Sequence, residues 1–148
     1  MIRRKDLYKE DSKLTVTKHF DVRFSEVDSL GIVWHGNYII YFEDGREAFG
    51  KKHGISYLDV QANGFTTPIV KSVCEHKLPL KYGESARIET TFVDSPAAKI
   101  IFRFRIYNSN NQLVCFGEST QVFLDKDGNL VLNPPSFFEE WKQKVGLL

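Results

Sequence analysis

The chain has 148 residues, of which 42% are hydrophobic and 14% aromatic, a balance that fits a packed globule and excludes a disordered chain. Its 20 basic and 19 acidic residues leave a net charge of +1, so no bulk attraction draws it to nucleic acid or to an anionic membrane. No apolar run approaches the roughly 18 residues that a membrane-spanning helix needs.

The first thirteen residues, MIRRKDLYKEDSK, have basic groups with no apolar run behind them, so they read as a solvated lead-in and not as a secretory signal. Leu14 to Phe24 alternates, with Leu14, Val16, Phe20, Val22 and Phe24 on one face and an interruption at Lys18, which predicts a half-buried strand. The pattern breaks at Glu26–Gly31, and helical spacing begins near Tyr38. Tyr38, Tyr41, Phe42, Gly45, Ala48 and Phe49 form one apolar stripe. The other side carries Glu43, Asp44, Arg46, Glu47 and Lys51, with Glu47 and Lys51 in a favourable i,i+4 order. Asn37 is the expected N-cap and Gly54 the residue after the C-terminus, which gives about sixteen residues and roughly 24 Å of helix. Gly45 in mid-helix costs about 1 kcal/mol relative to Ala, and its place on the stripe points to close approach by the sheet.

Ser56 and Asp59 make a capping-box pattern for a short helix that ends at Gly64. Strands follow at hairpin spacing: Pro68–Leu78, Ser85–Val93, Lys99–Tyr107 and Leu113–Leu124, with Pro68 confined to a strand start or an edge. Cys74 and Cys115 fall within these strands. They are far apart in sequence and lack the spacing of a zinc site or a disulfide framework, so they read as buried thiols in a reduced, cytoplasmic setting. Pro134-Pro135 stops the sheet, and Ser136 with Glu139 is a second capping box, opening a last helix through about Val145. With no linker or internal repeat, residues 1–148 read as a single α+β domain.

Asp28, Gly31, His35 and Asn37 lie within ten residues, where the first strand feeds the long helix. Free N–H groups at a helix N-terminus favour negative charge; a carboxylate beside them can act as base or nucleophile while they stabilise an oxyanion. Gly31 lets a substrate, or another piece of backbone, come close. The same residues also suit an ordinary polar connection, with Asp28 opening an Asx turn, Gly31 turning the chain, and His35 and Asn37 capping. Spacing leaves both readings open. A metal hydrolase built on His35, Glu43 and His19 or His76 has no HExxH-like spacing, and there is no G-x-S-x-G nucleophile elbow.

The run RFSEVDSLGIVWHGNYIIYFE, Arg23 to Glu43, resembles the signature of the 4-hydroxybenzoyl-CoA thioesterase family. The likeness continues through Thr67-Pro68-Ile69-Val70 and Val122-Phe123-Leu124-Asp125. The resemblance implies a hotdog fold, in which an antiparallel β-sheet wraps around one long central helix. It implies hydrolysis of an acyl- or aroyl-CoA thioester to free acid and CoA, with no metal and no bound cofactor. It assigns Asp28 as the catalytic carboxylate, attacking the carbonyl directly or activating a water, and the backbone N–H near His35 as the group that polarises the carbonyl. The His35 side chain would be supportive. Asn37 and Glu43 match polar positions near the site, as capping or substrate-binding groups, and Thr67 matches a strand position near the reacting group.

The coenzyme's phosphates call for basic side chains at the rim, and Lys71, Lys77, Lys81, Lys99, Arg103 and Arg105 are available. The hairpin Ser95-Pro96-Ala97-Ala98 lacks the basic cluster that relatives can carry there. The family places two active sites at a subunit interface, so a homodimer or homotetramer is expected. Two further readings remain beside it, a thioesterase acting on acyl carrier protein and a hotdog protein that binds acyl groups without turnover. Asp28 argues against the last, because binding alone needs no carboxylate at an oxyanion site.

Overall fold

The computed structural model describes residues 9–148. Strand β1 (Lys9–Asp21) leads through a 3-10 turn (Phe24–Glu26) and a short hairpin into helix α1 (Asn37–His53). A short helix, α2 (Tyr57–Ala62), follows, then strands β2 (Ile69–His76), β3 (Ser85–Asp94), β4 (Lys99–Asn108) and β5 (Leu113–Val122), and finally helix α3 (Ser136–Lys144). The strands form one sheet in the order β1-β3-β4-β5-β2, antiparallel at every pairing, with β1 and β2 at its edges.

The apolar stripe of α1 is what the sheet covers. Tyr38, Tyr41, Phe42, Gly45 and Phe49 are buried, and the alternating Ile100, Phe102, Phe104 and Ile106 of β4 form part of the opposing face. Phe42 stacks on Phe104 with centroids 4.6 Å apart, and Phe49 sits edge-on to Phe102 at 4.9 Å. At Gly45 the two layers come close: a Cβ there would run into the Thr90 hydroxyl and the Ile88 side chain. The mid-helix glycine is therefore a packing requirement, in keeping with its place on the stripe. On the solvent side Lys51 and Glu47 form the expected i,i+4 pair at 2.8 Å, and Gly54 ends the helix at φ +70°. Helix α3 closes the far end of the core. Its Trp141 indole donates to the His53 carbonyl at 2.7 Å, and its buried Lys142 ammonium donates to the Ser95 carbonyl at 2.8 Å and pairs with Asp94 at 2.9 Å.

Four expectations need correcting. The first strand begins at Lys9, so residues 9–13 of the supposed lead-in are sheet, paired through Lys9 and Glu10 to Asp94 and Val93; residues 1–8 lie outside the described part. The same strand stops at Asp21, and Phe24 lies in the 3-10 turn, 77% exposed, because the chain has already turned away from the sheet. Gly36, not Asn37, is the N-cap of α1, and the Asn37 side chain is used elsewhere. At α3 the cap is Pro135 with no side-chain cap bond, so the Ser136–Glu139 box does not form, whereas the Ser56–Asp59 box does. Among the described residues no helix is long and apolar enough to cross a membrane.

Candidate active site

The connection between β1 and α1 is a tight hairpin. Val27 bridges Val33, the Asp28 N–H donates to the Ile32 carbonyl at 2.9 Å, and the Gly31 N–H donates to the Asp28 carbonyl at 3.0 Å. Asp28 Oδ1 accepts the Leu30 N–H at 2.8 Å, an Asx turn that fixes the carboxylate at the hairpin tip. Gly31 takes φ +75°, and nothing lies within 4 Å of where its Cβ would be, so the left-handed turn needs glycine and the space beside it is open. The turn-forming role of Asp28 is thus real, and it leaves the second carboxylate oxygen unengaged among the described residues. A turn and a reactive carboxylate are compatible here.

Glu26 anchors this hairpin to the helix. Its buried carboxylate accepts the Arg23 N–H at 2.7 Å, the Arg23 guanidinium at 3.2 Å and the Tyr41 hydroxyl at 3.2 Å. Its carbonyl accepts the Trp34 N–H at 2.9 Å and the Asn37 side-chain amide at 2.7 Å. Asn37 therefore pins the loop to the first turn of α1. Burial first, and the Glu26 charge next, push the Tyr41 phenol well above its ordinary range, so it stays a donor. Burial likewise raises Tyr38 to about 12.

His35 lies beyond the base of the hairpin, exposed, with its ring tilted against Trp34 at 5.0 Å. Among the described residues the backbone N–H groups of His35 and Gly36 have no partner, although the following two, Asn37 and Tyr38, bond to Trp34 and His35 carbonyls. Two adjacent free donors at the N-terminus of a 17-residue helix form a site for negative charge.

Glu43 and Thr67 are placed apart from this loop. Glu43 is six residues beyond Asn37, roughly 9 Å along the axis, and forms an ion pair with Arg46. With Asp44, Thr67, Phe102 and Gln121 it lines a cavity of about 440 Å³ between α1 and the sheet. Gln121 donates to the Thr67 carbonyl at 2.7 Å and to its hydroxyl at 3.1 Å. Neither Asp28 nor His35 lines that cavity. This cavity and the loop that carries Asp28 and His35 are two separate features of one chain.

Of the rim cations, Arg103 is held by Glu118 at 3.0 Å, Arg105 by Glu10 at 3.0 Å and Lys77 by Glu75 at 3.3 Å. Lys71, Lys81 and Lys99 have no ion-pair partner among the described residues. Cys74 and Cys115, unrelated by sequence spacing, lie with their sulfurs 3.5 Å apart, and burial pushes both thiols up, so neither is a poised thiolate nucleophile. The sequence does not single out Glu26 or Gln121, and it marks Tyr41 as a stripe residue without its bond to Glu26. For Glu26 a signal existed, the Arg23–Glu26 spacing of three that closes a capping-box-like turn.

A long helix lying across one antiparallel sheet is the arrangement of the hotdog fold, and the relatives of this chain are thioesterases. The chain belongs to the Thioesterase-like superfamily, whose family model matches residues 22–142. It is 33% identical over 124 residues to the provisionally named acyl-CoA thioesterase YneP of Bacillus subtilis (strain 168), covering 84% of this chain and 90% of that one. Its fold is similar to a DHNA-CoA thioesterase from Staphylococcus aureus, with a TM-score of 0.78 at 22% identity over 87% of each chain. A mutant 4-hydroxybenzoyl-CoA thioesterase in complex with 4-hydroxybenzoyl-CoA superposes with a TM-score of 0.74 at 23% identity, over 86% of this chain and 97% of that one.

Proposed function

We propose that the protein hydrolyses acyl-CoA thioesters to free acid and CoA, with Asp28 as nucleophile or general base and the helix entrance at His35 as the oxyanion site. The observation that carries this reading is the pair of unpartnered N–H groups of His35 and Gly36, on the connection whose hairpin tip holds a half-buried carboxylate with one oxygen to spare. Attack at the thioester carbonyl, by Asp28 or by a water it deprotonates, places negative charge on the carbonyl oxygen. Collapse then breaks the C–S bond and CoA leaves as the thiolate; where Asp28 itself attacked, a water then cleaves the acyl–Asp anhydride, releasing the free acid and restoring the carboxylate. Donors aimed at that oxygen act where the charge develops. The relatives' names support a CoA thioester as the substrate. Lys71, Lys81 and Lys99 are the candidates for its phosphates, and the two free cysteines suit a cytoplasmic setting.

A second copy of the chain completes the site in this reading. Asp28 and His35 stand beside exposed apolar side chains, Leu30 at 78%, Trp34 at 48% and Ile40 at 51%, and the edge strand β2 offers Val70 at 60%. A surface of this kind around a polar site fits an isologous homodimer. The test is thiol release across a panel of acyl- and aroyl-CoA substrates, with wild type beside Asp28→Asn. Asparagine keeps the Oδ1 acceptor for the Leu30 N–H but loses the charge. The expected result is an unchanged melting temperature and a loss of at least about 10²-fold in rate. Wild-type turnover in the variant removes Asp28 from the mechanism, and no thiol release from any CoA thioester removes the proposed activity.

A further inference from the structure

Away from the helix entrance, one set of side chains has no role in thioester hydrolysis and yet converges. Cys74 and His76 lie on β2 and Cys115 on β5. The register brings them together: His76 is opposite Cys115, and Cys74 is opposite Gly117. All three therefore project from one face of the sheet, and Gly117 identifies it as the face under α1, since a Cβ at that position would run into the Phe42 ring. The Cys74 sulfur stands 3.5 Å from the Cys115 sulfur and 3.7 Å from His76 Nε2. All three ligand atoms lie within 4.8 Å of one another, the one such group of three His, Cys or carboxylate side chains among the described residues.

We propose that Cys74, His76 and Cys115 form a binding site for a thiophilic divalent metal ion of the zinc class, with three protein ligands and a fourth position left to water or another exogenous ligand. Zinc bonds of about 2.3 Å to sulfur and 2.0–2.1 Å to imidazole nitrogen give tetrahedral edges of about 3.8 Å between sulfurs and about 3.6 Å from sulfur to nitrogen. Two of the three observed separations already stand within a few tenths of an ångström of those edges. His76 closes the third by turning its ring, which is exposed and packs edge-on against Tyr38 at 5.1 Å. Two sulfurs and an imidazole select zinc and its thiophilic neighbours and do not suit magnesium or calcium, which take oxygen ligands. The competing use of the cysteines is a disulfide, and the register argues against it. The two are diagonal neighbours, for which the separation is about 7–8 Å, beyond the roughly 6.8 Å that a bridge spans without backbone movement. A metal ion spans that gap from the same backbone. Bound there, it would tie the edge strand β2 to β5 beneath the first turn of α1.

Cobalt(II) is the probe, titrated into the reduced full-length protein in a non-chelating reductant. The chain has two cysteines, so any sulfur-to-cobalt charge-transfer band comes from this pair. The expected result is one cobalt per chain with that band, its displacement by zinc, and a rise in melting temperature with zinc. Cys74→Ala and His76→Gln change partly buried or exposed positions, which spares the fully buried Cys115. Each should weaken binding at least about tenfold, the lower end of what losing even an outer hydrogen-bond partner of a metal ligand costs. A missing charge-transfer band at saturating cobalt, half a cobalt per chain, or wild-type affinity in either variant overturns the three-ligand site.

Discussion

The Tyr41 hydroxyl donates to Glu26 Oε1 at 3.2 Å, and by that bond the buried face of α1 holds the loop that presents Asp28. The same oxygen takes the Arg23 N–H, so one carboxylate ties together the end of the strand, the hairpin and the helix. Tyr41→Phe removes the donor without removing the ring that packs on Phe20. A hydrogen bond to a charged group contributes about 1.5–3 kcal/mol, and urea unfolding should read a loss in that range. Activity should fall in kcat more than in KM, because the variant loosens the reacting groups and not the substrate contacts. A stability loss with wild-type kcat would mean that the Asn37 and Trp34 bonds to the Glu26 carbonyl hold the loop unaided.

The apolar residues around the loop and on β2 set the second expectation. Strand β2 is an edge with Val70 and Ile69 exposed, and an exposed edge is a template for pairing with another copy. Val70→Lys puts a charge in that surface and should shift the protein toward monomer in light scattering at micromolar concentration. On the proposal that a second copy completes the site, thioesterase activity should fall with the dimer. A wild type that is monomeric and fully active at that concentration would defeat both the dimer and the shared site.

What the sequence made legible follows from how each feature is encoded. The stripe on α1 and the alternation in β4 are periodic, and burial followed both. The chemistry around Asp28, Gly31 and His35 was legible as a cluster because the residues are neighbours in the chain. The long-range partners of Glu26, Gln121 and Lys142 were not. Tyr41 is fifteen residues from Glu26, Thr67 is 54 from Gln121 and Ser95 is 47 from Lys142, and no local pattern encodes contacts made by tertiary packing. The cysteines make the same point: 41 residues apart, they meet because β2 returns to pair with β5. Asn37 has the right residue type for a cap, but the adjacent Glu26 carbonyl took its amide instead.

His53 gives the fold a dependence on pH. It sits in the last turn of α1 with its ring 4.6 Å from Phe49, and its Nε2 is buried without a partner among the described residues. A helix C-terminus ordinarily favours protonated histidine, but here burial, and after it the charge of Lys52, hold the group below its ordinary value. The unfolded chain, at about 6.5, therefore binds the proton more readily than the folded one. The stability this group contributes is fully present above that value and is lost as pH falls through the folded value. Melting temperature should drop between about pH 7 and pH 5, and His53→Leu should flatten that part of the profile. Parallel profiles for the two proteins would assign the drop to other groups.

The choice between a CoA thioester and an acyl group on carrier protein rests on charge. A carrier protein is strongly acidic and calls for a broad basic surface at the site, whose attraction is screened by salt. The α1 side of the 440 Å³ cavity carries Glu43, Asp44 and Glu47, and the one cation among them, Arg46, is already taken by Glu43. Lys51 is likewise engaged, by Glu47, and three of the six rim cations are paired within the sheet surface or its edge. That surface offers no broad basic patch to an acidic partner, while Lys71, Lys81 and Lys99 remain for the few phosphates of one coenzyme. The expected outcome is a higher kcat/KM on a CoA thioester than on the same acyl chain carried by acyl carrier protein, measured side by side at low and moderate salt. A preference for the carrier protein that weakens with salt would reverse the assignment, since it requires a basic docking surface that Glu43, Asp44 and Glu47 do not provide.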